Sequence, residues 1–402
     1  MKKMSNYFNT KDKSLCCGCT ACKNICPKQC ITMKEDKDGF SYPIIDKEMC
    51  IECGLCVKAC PFADNNSIKI KHKAVDKCVA MVLNDNIEVY KSSSGGAFTA
   101  IINAFCDENF VIFGAEMCKD LKVRHTSAEM IEDAKKFRKS KYVKSDTDKA
   151  FPLAKNALQE GKKVLFSGTG CQIAGLKGYL QKEYENLLTV DLVCHGVPSQ
   201  LNFDRYIENL EKKYKKKIID YSFRTKKIFN GEVDSISIKV VFDDNSEKDI
   251  QGITDYYFRM FLANISLMPS CYNCVYASKE RTSDITIADF WGISNFDKSY
   301  NEMTGTSLVI ANSDKGKQIV DSFNNVRIKE FEIEKAILKN KSLLQPKIPH
   351  KYRDEFLMAL HNGMRFDKAV NKYAPIRFRT KIKIIIKRLL PQKMIKLIRK
   401  IK

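Results

Sequence analysis

Short apolar runs broken by glycine, serine and proline alternate along the chain with stretches of helical spacing, the pattern of a body built from alternating strands and helices. Residues 111–113, 164–166, 187–193, 284–288 and 307–311 read as short buried strands, and 233–242 as an alternating strand closed by the turn Asp243-Asp244-Asn245. Apolar helical spacing predicts helices from residue 97 onward, over 151–159, over 173–180 and around 316–323. Near the N-terminus, 39–45 reads as a hairpin return and Ser67-Ile68-Lys69-Ile70 as a closing strand. At the other end, Ile382, Ile385, Ile386, Leu389 and Leu390 recur at i, i+3, i+4, i+7 and i+8, one apolar stripe of a helix.

Cysteine spacing changes this picture most. Two runs of one form, Cys16-x2-Cys19-x2-Cys22-x3-Cys26-Pro27 and Cys50-x2-Cys53-x2-Cys56-x3-Cys60-Pro61, repeat at an offset of 34 residues. Three thiolates two residues apart wrap one loop around a cubane, and the fourth, in the following helical turn, faces away and serves the other cluster. The first [4Fe–4S] cluster is therefore expected on Cys16, Cys19, Cys22 and Cys60, and the second on Cys50, Cys53, Cys56 and Cys26. Zinc sites use two pairs of ligands and have no need of three-plus-one spacing with prolines behind it. Cys17 and Cys30 fall outside the pattern, and Cys30 is expected to pack as a small hydrophobe.

A chain of 402 residues, 44% hydrophobic, implies two or three globular domains. The first fifteen residues have no apolar signal-like core, and no run reaches the length of a spanning helix, so a cytoplasmic protein, at most peripheral on the inner membrane face, is expected. In such a setting seventeen cysteines indicate metal ligation, not disulfides. The net charge of +21 is concentrated: from Ala369 onward there is no Asp or Glu and there are twelve Lys or Arg. Without that tail the body is only mildly basic and carries no recognisable nucleic-acid module, so nucleic acid is not the expected partner. The tail's stripe and charge suit an anionic membrane surface, or equally packing on protein.

Three further stretches suggest chemistry. Ser92-Ser93-Ser94-Gly95-Gly96 runs into an apolar helix, either a phosphate seat or a plain serine cap. Ser167-Gly168-Thr169-Gly170-Cys171-Gln172 links a strand to a helix, so Cys171 should stand at the carboxyl edge of the sheet, where ligands bind. The next strand breaks at Cys194-His195-Gly196-Val197-Pro198 and delivers Cys194 and His195 to the same side. Cys271-x2-Cys274 could complete a third cubane with Cys171 and Cys194, or hold zinc or nothing. His195 could protonate a substrate or simply hydrogen-bond its loop.

In order, Ser93-Ser94-Gly95-Gly96, Ser140-Lys141-Tyr142-Val143, Gly168-Thr169-Gly170-Cys171-Gln172, Cys194-His195-Gly196-Val197-Pro198, Cys271-x2-Cys274 and Asp284-Ile285-Thr286-x2-Asp289-Phe290-Trp291-Gly292 resemble the motifs of the coenzyme F420 hydrogenase/dehydrogenase beta-subunit family. Relatives usually carry proline at Gly170. The chain is expected to divide into a two-cluster ferredoxin-like domain over 1–72, a mixed α/β domain over 75–325 and a helical extension over 326–402 with the basic tail. The resemblance, which covers roughly 15–300, implies that the α/β domain binds FAD and a third [4Fe–4S] cluster on Cys171, Cys194, Cys271 and Cys274. It implies a cofactor-binding set of Ser93, Ser94, Gly95, Gly96, Ser140, Lys141, Tyr142, Gly168, Thr169 and Asp289. The implied function is an oxidoreductase passing electrons between clusters and FAD to reduce or oxidise an organic partner, a deazaflavin or another metabolite, such as one in polysaccharide biosynthesis, with ferredoxin or a similar donor as redox partner. The alternative is a non-catalytic electron-transfer subunit.

Overall fold

A computed structural model describes residues 8–9, 11–63, 77–229, 232–301 and 303–376. The two cysteine runs fold as expected into a unit with two short helices, α1 (Ala21–Ile25) and α2 (Leu55–Lys58), and an antiparallel hairpin of β1 (Ile31–Glu35) and β2 (Ser41–Ile45). Apolar residues are scarce in this unit. Its core consists of Phe8, Ile31, Ile45 and the cysteines themselves.

The body is an eight-stranded mixed sheet. Its strands are β3 (Lys77–Leu83), β4 (Phe110–Met117), β5 (Val123–Ala128), β6 (Lys163–Thr169), β7 (Leu187–Leu192), β11 (Ile285–Asp289), β12 (Ser307–Ala311) and β13 (Val326–Glu330), in the order β13-β3-β12-β11-β7-β6-β4-β5. The four central strands β11, β7, β6 and β4 run parallel, and the flanking ones antiparallel. The central strands are buried, which is why β12 is an almost unbroken apolar run and β6 and β7 carry the apolar residues Val164, Leu165, Phe166, Leu187 and Leu188 near their starts. The edge strand β13 exposes Arg327, Lys329 and Glu330, charges that discourage further strand pairing.

Between β7 and β11 the chain leaves the sheet to build a second core. A three-stranded antiparallel sheet of β8 (Ile218–Phe229), β9 (Glu232–Phe242) and β10 (Glu247–Ile250) packs with helix α5 (Gln200–Tyr214). Here α3 is Ala97–Phe105, α4 is Gly170–Leu180, and the two late helices are α6 (Arg353–His361) and α7 (Phe366–Tyr373). Phe203, Tyr206, Tyr221, Phe223, Tyr257 and Phe258 fill this core, joined by Phe356, Phe366 and Val370 of the two late helices.

The expected domain division at 325/326 is thereby corrected. β13 completes the sheet edge on β3, and α6 and α7 bury their apolar faces in the second core, so 326–373 belong to the body. The strand expected over 67–70 and the amphipathic tail over 377–402 lie outside the described residues. Among the described residues no helix is long and apolar enough to cross a membrane.

The ferredoxin-type unit is docked on α4. Glycines three apart on that helix remove the side chains that would keep the two apart: a Cβ at Gly175 would lie 2.7 Å from Cys19 Sγ, and one at Gly178 would collide with the Ala59 carbonyl oxygen. Around this contact, Thr147 Oγ1 donates to the Cys19 carbonyl at 3.0 Å and Lys23 pairs with Asp148 at 2.6 Å. The Tyr276 hydroxyl donates to the Pro61 carbonyl at 3.3 Å, and its ring meets Phe62 edge-on.

Candidate redox site

Two small cavities in the N-terminal unit are lined by cysteines. Cys16, Cys19, Cys22 and Cys60 surround one, with Cys17, while Cys26, Cys50, Cys53 and Cys56 surround the other, with Cys30. The crossing of the fourth cysteine of each run into the other run's cavity is the arrangement that the spacing predicts. Burial pushes the Cys16 thiol up to about 12 and Cys56 to about 11, and such thiols ionise readily only when metal replaces the proton. Lys11 Nζ lies 3.2 Å from Cys60 Sγ, a positive charge beside that sulfur. Among the described residues no three His, Cys, Asp or Glu side chains are grouped to hold one metal ion; in a cubane each thiolate binds its own iron and the ligands stand apart.

Cys30 is buried as expected, but its Sγ lies 3.4 Å from Cys26 Sγ, so it is more than inert filling. Cys17 is the larger surprise. It lines the first cluster cavity and also a cavity of about 600 Å³ in the body, with Sγ 4.0 Å from the Cys171 carbonyl oxygen. The Cys17 thiol shares its proton with Cys171 and Cys19, which holds Cys17 protonated and pulls Cys19 down and Cys171 to about 6.

That large cavity lies at the carboxyl edge of the parallel strands. β6 ends at Thr169, whose hydroxyl caps α4 and lies 3.2 Å from Cys171 Sγ; β7 ends just before Cys194; β11 ends at Asp289. Gly170 opens α4 in the first turn, where a proline's missing N–H is harmless, so the departure from relatives costs the turn little. Cys171, Cys194, Cys271 and Cys274 all line this cavity. The Gly196 N–H donates to Cys194 Sγ at 3.3 Å, and burial pushes the Cys194 thiol up to about 12. Behind them lies a buried ion pair that sequence reasoning missed: Arg281 reaches Asp191 at 2.6 Å, and Thr286 Oγ1 donates to the other Asp191 oxygen at 2.6 Å.

The serine and glycine loop lines the same cavity. Ser93 Oγ accepts from Ser140 N at 3.0 Å, and Ser94 Oγ donates to the Thr306 carbonyl at 2.8 Å. Ser93, Ser94, Gly96, Ser140, Lys141, Tyr142, Gly168, Thr169, Asp289 and His195 all line the same cavity. Gly95 does not. It is packed behind the loop, its N–H on Ser307 Oγ at 2.9 Å and its α-carbon against β3, where a Cβ would strike the Met81 carbonyl.

Arg224 ties the wall together and was not legible in the sequence, where it sits in a lysine-rich run. It is 4% exposed, forks onto both Asp289 oxygens at 2.8 and 2.9 Å, and donates to the Ser93 carbonyl at 2.9 Å and the Tyr142 hydroxyl at 3.2 Å. Lys226 Nζ donates to the Val89 and Ser94 carbonyls, and burial lowers it to about 8. Lys141 Nζ donates to the Arg138 and Lys136 carbonyls, and burial lowers it to about 7. His195 Nε2 meets Asn264 Oδ1 at 2.6 Å, and burial lowers the imidazole to about 4, so it is neutral near pH 7.

A ferredoxin-type unit docked on α4, beside a cavity lined by four more cysteines, defines an iron–sulfur protein of the oxidoreductase kind. Residues 15–63 match the model of the 4Fe-4S dicluster domain, and 161–336 match the model of the C terminus of the coenzyme F420 hydrogenase/dehydrogenase beta subunit. Residues 161–336 are thus similar to this beta-subunit family, with a 4Fe-4S dicluster domain preceding the match. Among curated relatives, an uncharacterized protein of Methanocaldococcus jannaschii is 29% identical over 221 residues, 46% of this chain and 60% of that protein. An uncharacterized ferredoxin of the same organism is 42% identical over 71 residues, 18% of this chain and 42% of the ferredoxin. The chain thus spans less than two thirds of the length of either. A chain in a structure of the F420-reducing [NiFe] hydrogenase complex from Methanosarcina barkeri is similar at 17% identity and TM-score 0.41, covering 77% of this chain and 96% of that one.

Proposed function

We propose that the protein is an iron–sulfur flavoprotein oxidoreductase that moves electrons between [4Fe–4S] clusters and FAD and exchanges a hydride with an organic partner. The observation that carries this reading is a shared cavity: four cysteines and the serine–glycine loop line the same space, with the first cluster's Cys19 pressed against the helix that begins beside Cys171. The second cluster, on Cys26, Cys50, Cys53 and Cys56, has the exposed Cys53 and is the outer one. The first, on Cys16, Cys19, Cys22 and Cys60, is the inner one. Cys171, Cys194, Cys271 and Cys274 hold a third cluster in the large cavity.

A cavity of about 600 Å³ with a basic lining supports the dinucleotide part of this reading. Its two carboxylates, Asp191 and Asp289, are each neutralised by arginine, and Lys144 adds positive charge. Ser93, Ser94, Gly96, Ser140, Lys141, Tyr142, Gly168, Thr169 and Asp289 would hold FAD, whose chemistry is to join single-electron and hydride transfer. Arg224 holds the loop and Asp289 in one geometry. Phe258, Phe261 and Trp291 exclude water from the apolar part. His195, neutral and bonded to Asn264, orients its loop beside Cys194. The partner is a deazaflavin such as coenzyme F420 or another reducible metabolite, including a sugar-linked one.

Anaerobic purification with iron, sulfide and flavin assays tests this reading: about twelve irons, at four per cluster, and one FAD per chain are expected. Four irons alone, or zinc in their place, would sink it. The matched family, named for a beta subunit, favours a second reading in which the chain relays electrons to a catalytic partner. Reduction of F420 or another small molecule by the isolated chain separates the two.

A further inference from the structure

We infer that His125 accepts a hydrogen bond through Nδ1 from an N–H or O–H group of the flavin in the large cavity, and so orients that cofactor at the edge of β6. This rests on the flavin reading above, which does not otherwise assign His125 a role. The residue is 5% exposed and lines the cavity beside Ser167 and Gly168. Its Nε2 lies 2.9 Å from the Ser167 carbonyl oxygen, an atom that only accepts, so Nε2 carries the proton and Nδ1 a lone pair. Among the described residues no group donates to that lone pair.

A buried acceptor without a donor calls for a partner such as a water, an ion or a ligand. Of sixteen buried side-chain polar atoms without a partner among the described residues, His125 Nδ1 is the acceptor that belongs to a residue lining this cavity. The ring is not free to turn elsewhere. It stacks on Phe166 with centroids 5.5 Å apart and planes within 11°, and Phe166 stacks in turn on Phe113. The backbone is equally held, with His125 N donating to the Asp146 carbonyl at 2.7 Å and β5 paired to β4 opposite Ala115. Burial and the nearby Lys144 lower the imidazole to about 4, so near pH 7 it remains an acceptor. Two donors on a flavin suit such an acceptor: the imide N3–H of the ring and the hydroxyls of the ribityl chain.

Titration of the flavin-stripped, cluster-loaded protein with FAD, followed by flavin fluorescence, tests the assignment. His125→Leu should weaken FAD binding on the order of tenfold, whereas His125→Gln, which keeps an acceptor oxygen, should stay near wild type. Iron content and far-ultraviolet dichroism serve as the check on folding. An N3-methylated FAD separates the two donors: if it binds wild type about tenfold more weakly than FAD but His125→Leu equally well, the donor is the ring imide. If methylation costs the same in both proteins while His125→Leu still loses FAD affinity, the donor is a ribityl hydroxyl. Equal FAD affinity in wild type and a folded His125→Leu overturns the inference and leaves the flavin reading standing. A wild-type protein that binds no FAD overturns both.

Discussion

Arg224 is the residue on which three separately spaced motifs meet, since Ser93, Tyr142 and Asp289 all bond its guanidinium. Its backbone sits at φ +56°, a conformation few non-glycine residues adopt. Arg224→Met should leave Asp289 buried and unpaired, destabilising the chain by about 3 kcal/mol or more and weakening FAD binding at least tenfold; denaturant unfolding and flavin titration measure the two. Adding Asp289→Asn should recover part of the stability. The cysteines invite a count. Cys274→Ser should lose about four of twelve irons and slow flavin reduction by dithionite-reduced N-terminal clusters, while Cys17→Ala should keep all twelve. Cys30 is a poor control for these variants because it touches Cys26; Cys106, at the end of α3 and remote from all three cysteine groups, is a better one.

At the scale of elements, α4 does two tasks at once. Its first turn presents Cys171, and one and two turns later the same helix admits Cys19 and Ala59 at Gly175 and Gly178. Four residues of helix rise about 6 Å, so the helix itself sets the spacing between the first and third proposed clusters. Gly178→Ala should push the N-terminal unit outward, costing about 1–3 kcal/mol by overpacking. Rapid mixing should then show full iron content, normal reduction of the N-terminal clusters, and intramolecular flavin reduction slowed severalfold. Unchanged flavin reduction in that variant would mean that electrons do not cross at this contact.

For the whole molecule, burial of histidine sets a pH dependence. His125 and His195 titrate near 4 in the fold against 6.5 unfolded, so below pH 6.5 the unfolded chain gains protons that the folded chain refuses. Stability should therefore fall as pH drops from 6.5 towards 4. Asp255, raised to about 6 by burial, acts with the opposite sign, and only between 3.8 and 6. Denaturant unfolding at pH 7.5 and 6 should show the decline, with a shallower one in His195→Gln. The basic tail, outside the described residues, makes a separate prediction, because its apolar residues and positive charge would favour an anionic membrane surface. A chain ending at Tyr373 should no longer float with anionic liposomes; equal flotation would refute the membrane role.

The sequence by itself determined the local chemistry. Ligand spacing lies within a few residues of each loop, so the cysteine runs, the strand-to-helix turn at Gly168-Thr169-Gly170 and the motifs ending at Asp289 could be read along the chain. It also indicated that Cys171 and Cys194 share one edge, because parallel strands deliver their carboxyl ends together. Only the tertiary structure decided what meets across long separations. Arg224 and Lys226 sit among lysines and look solvated until the second sheet buries them. His125 carries no motif, and its unpaired nitrogen exists only once β4 and β6 surround it. Cys17 looked like a bystander between two ligands, yet docking on α4 sets it between two cysteine groups. Burial, register and domain contact depend on residues far apart in the chain, and spacing along the chain does not encode them.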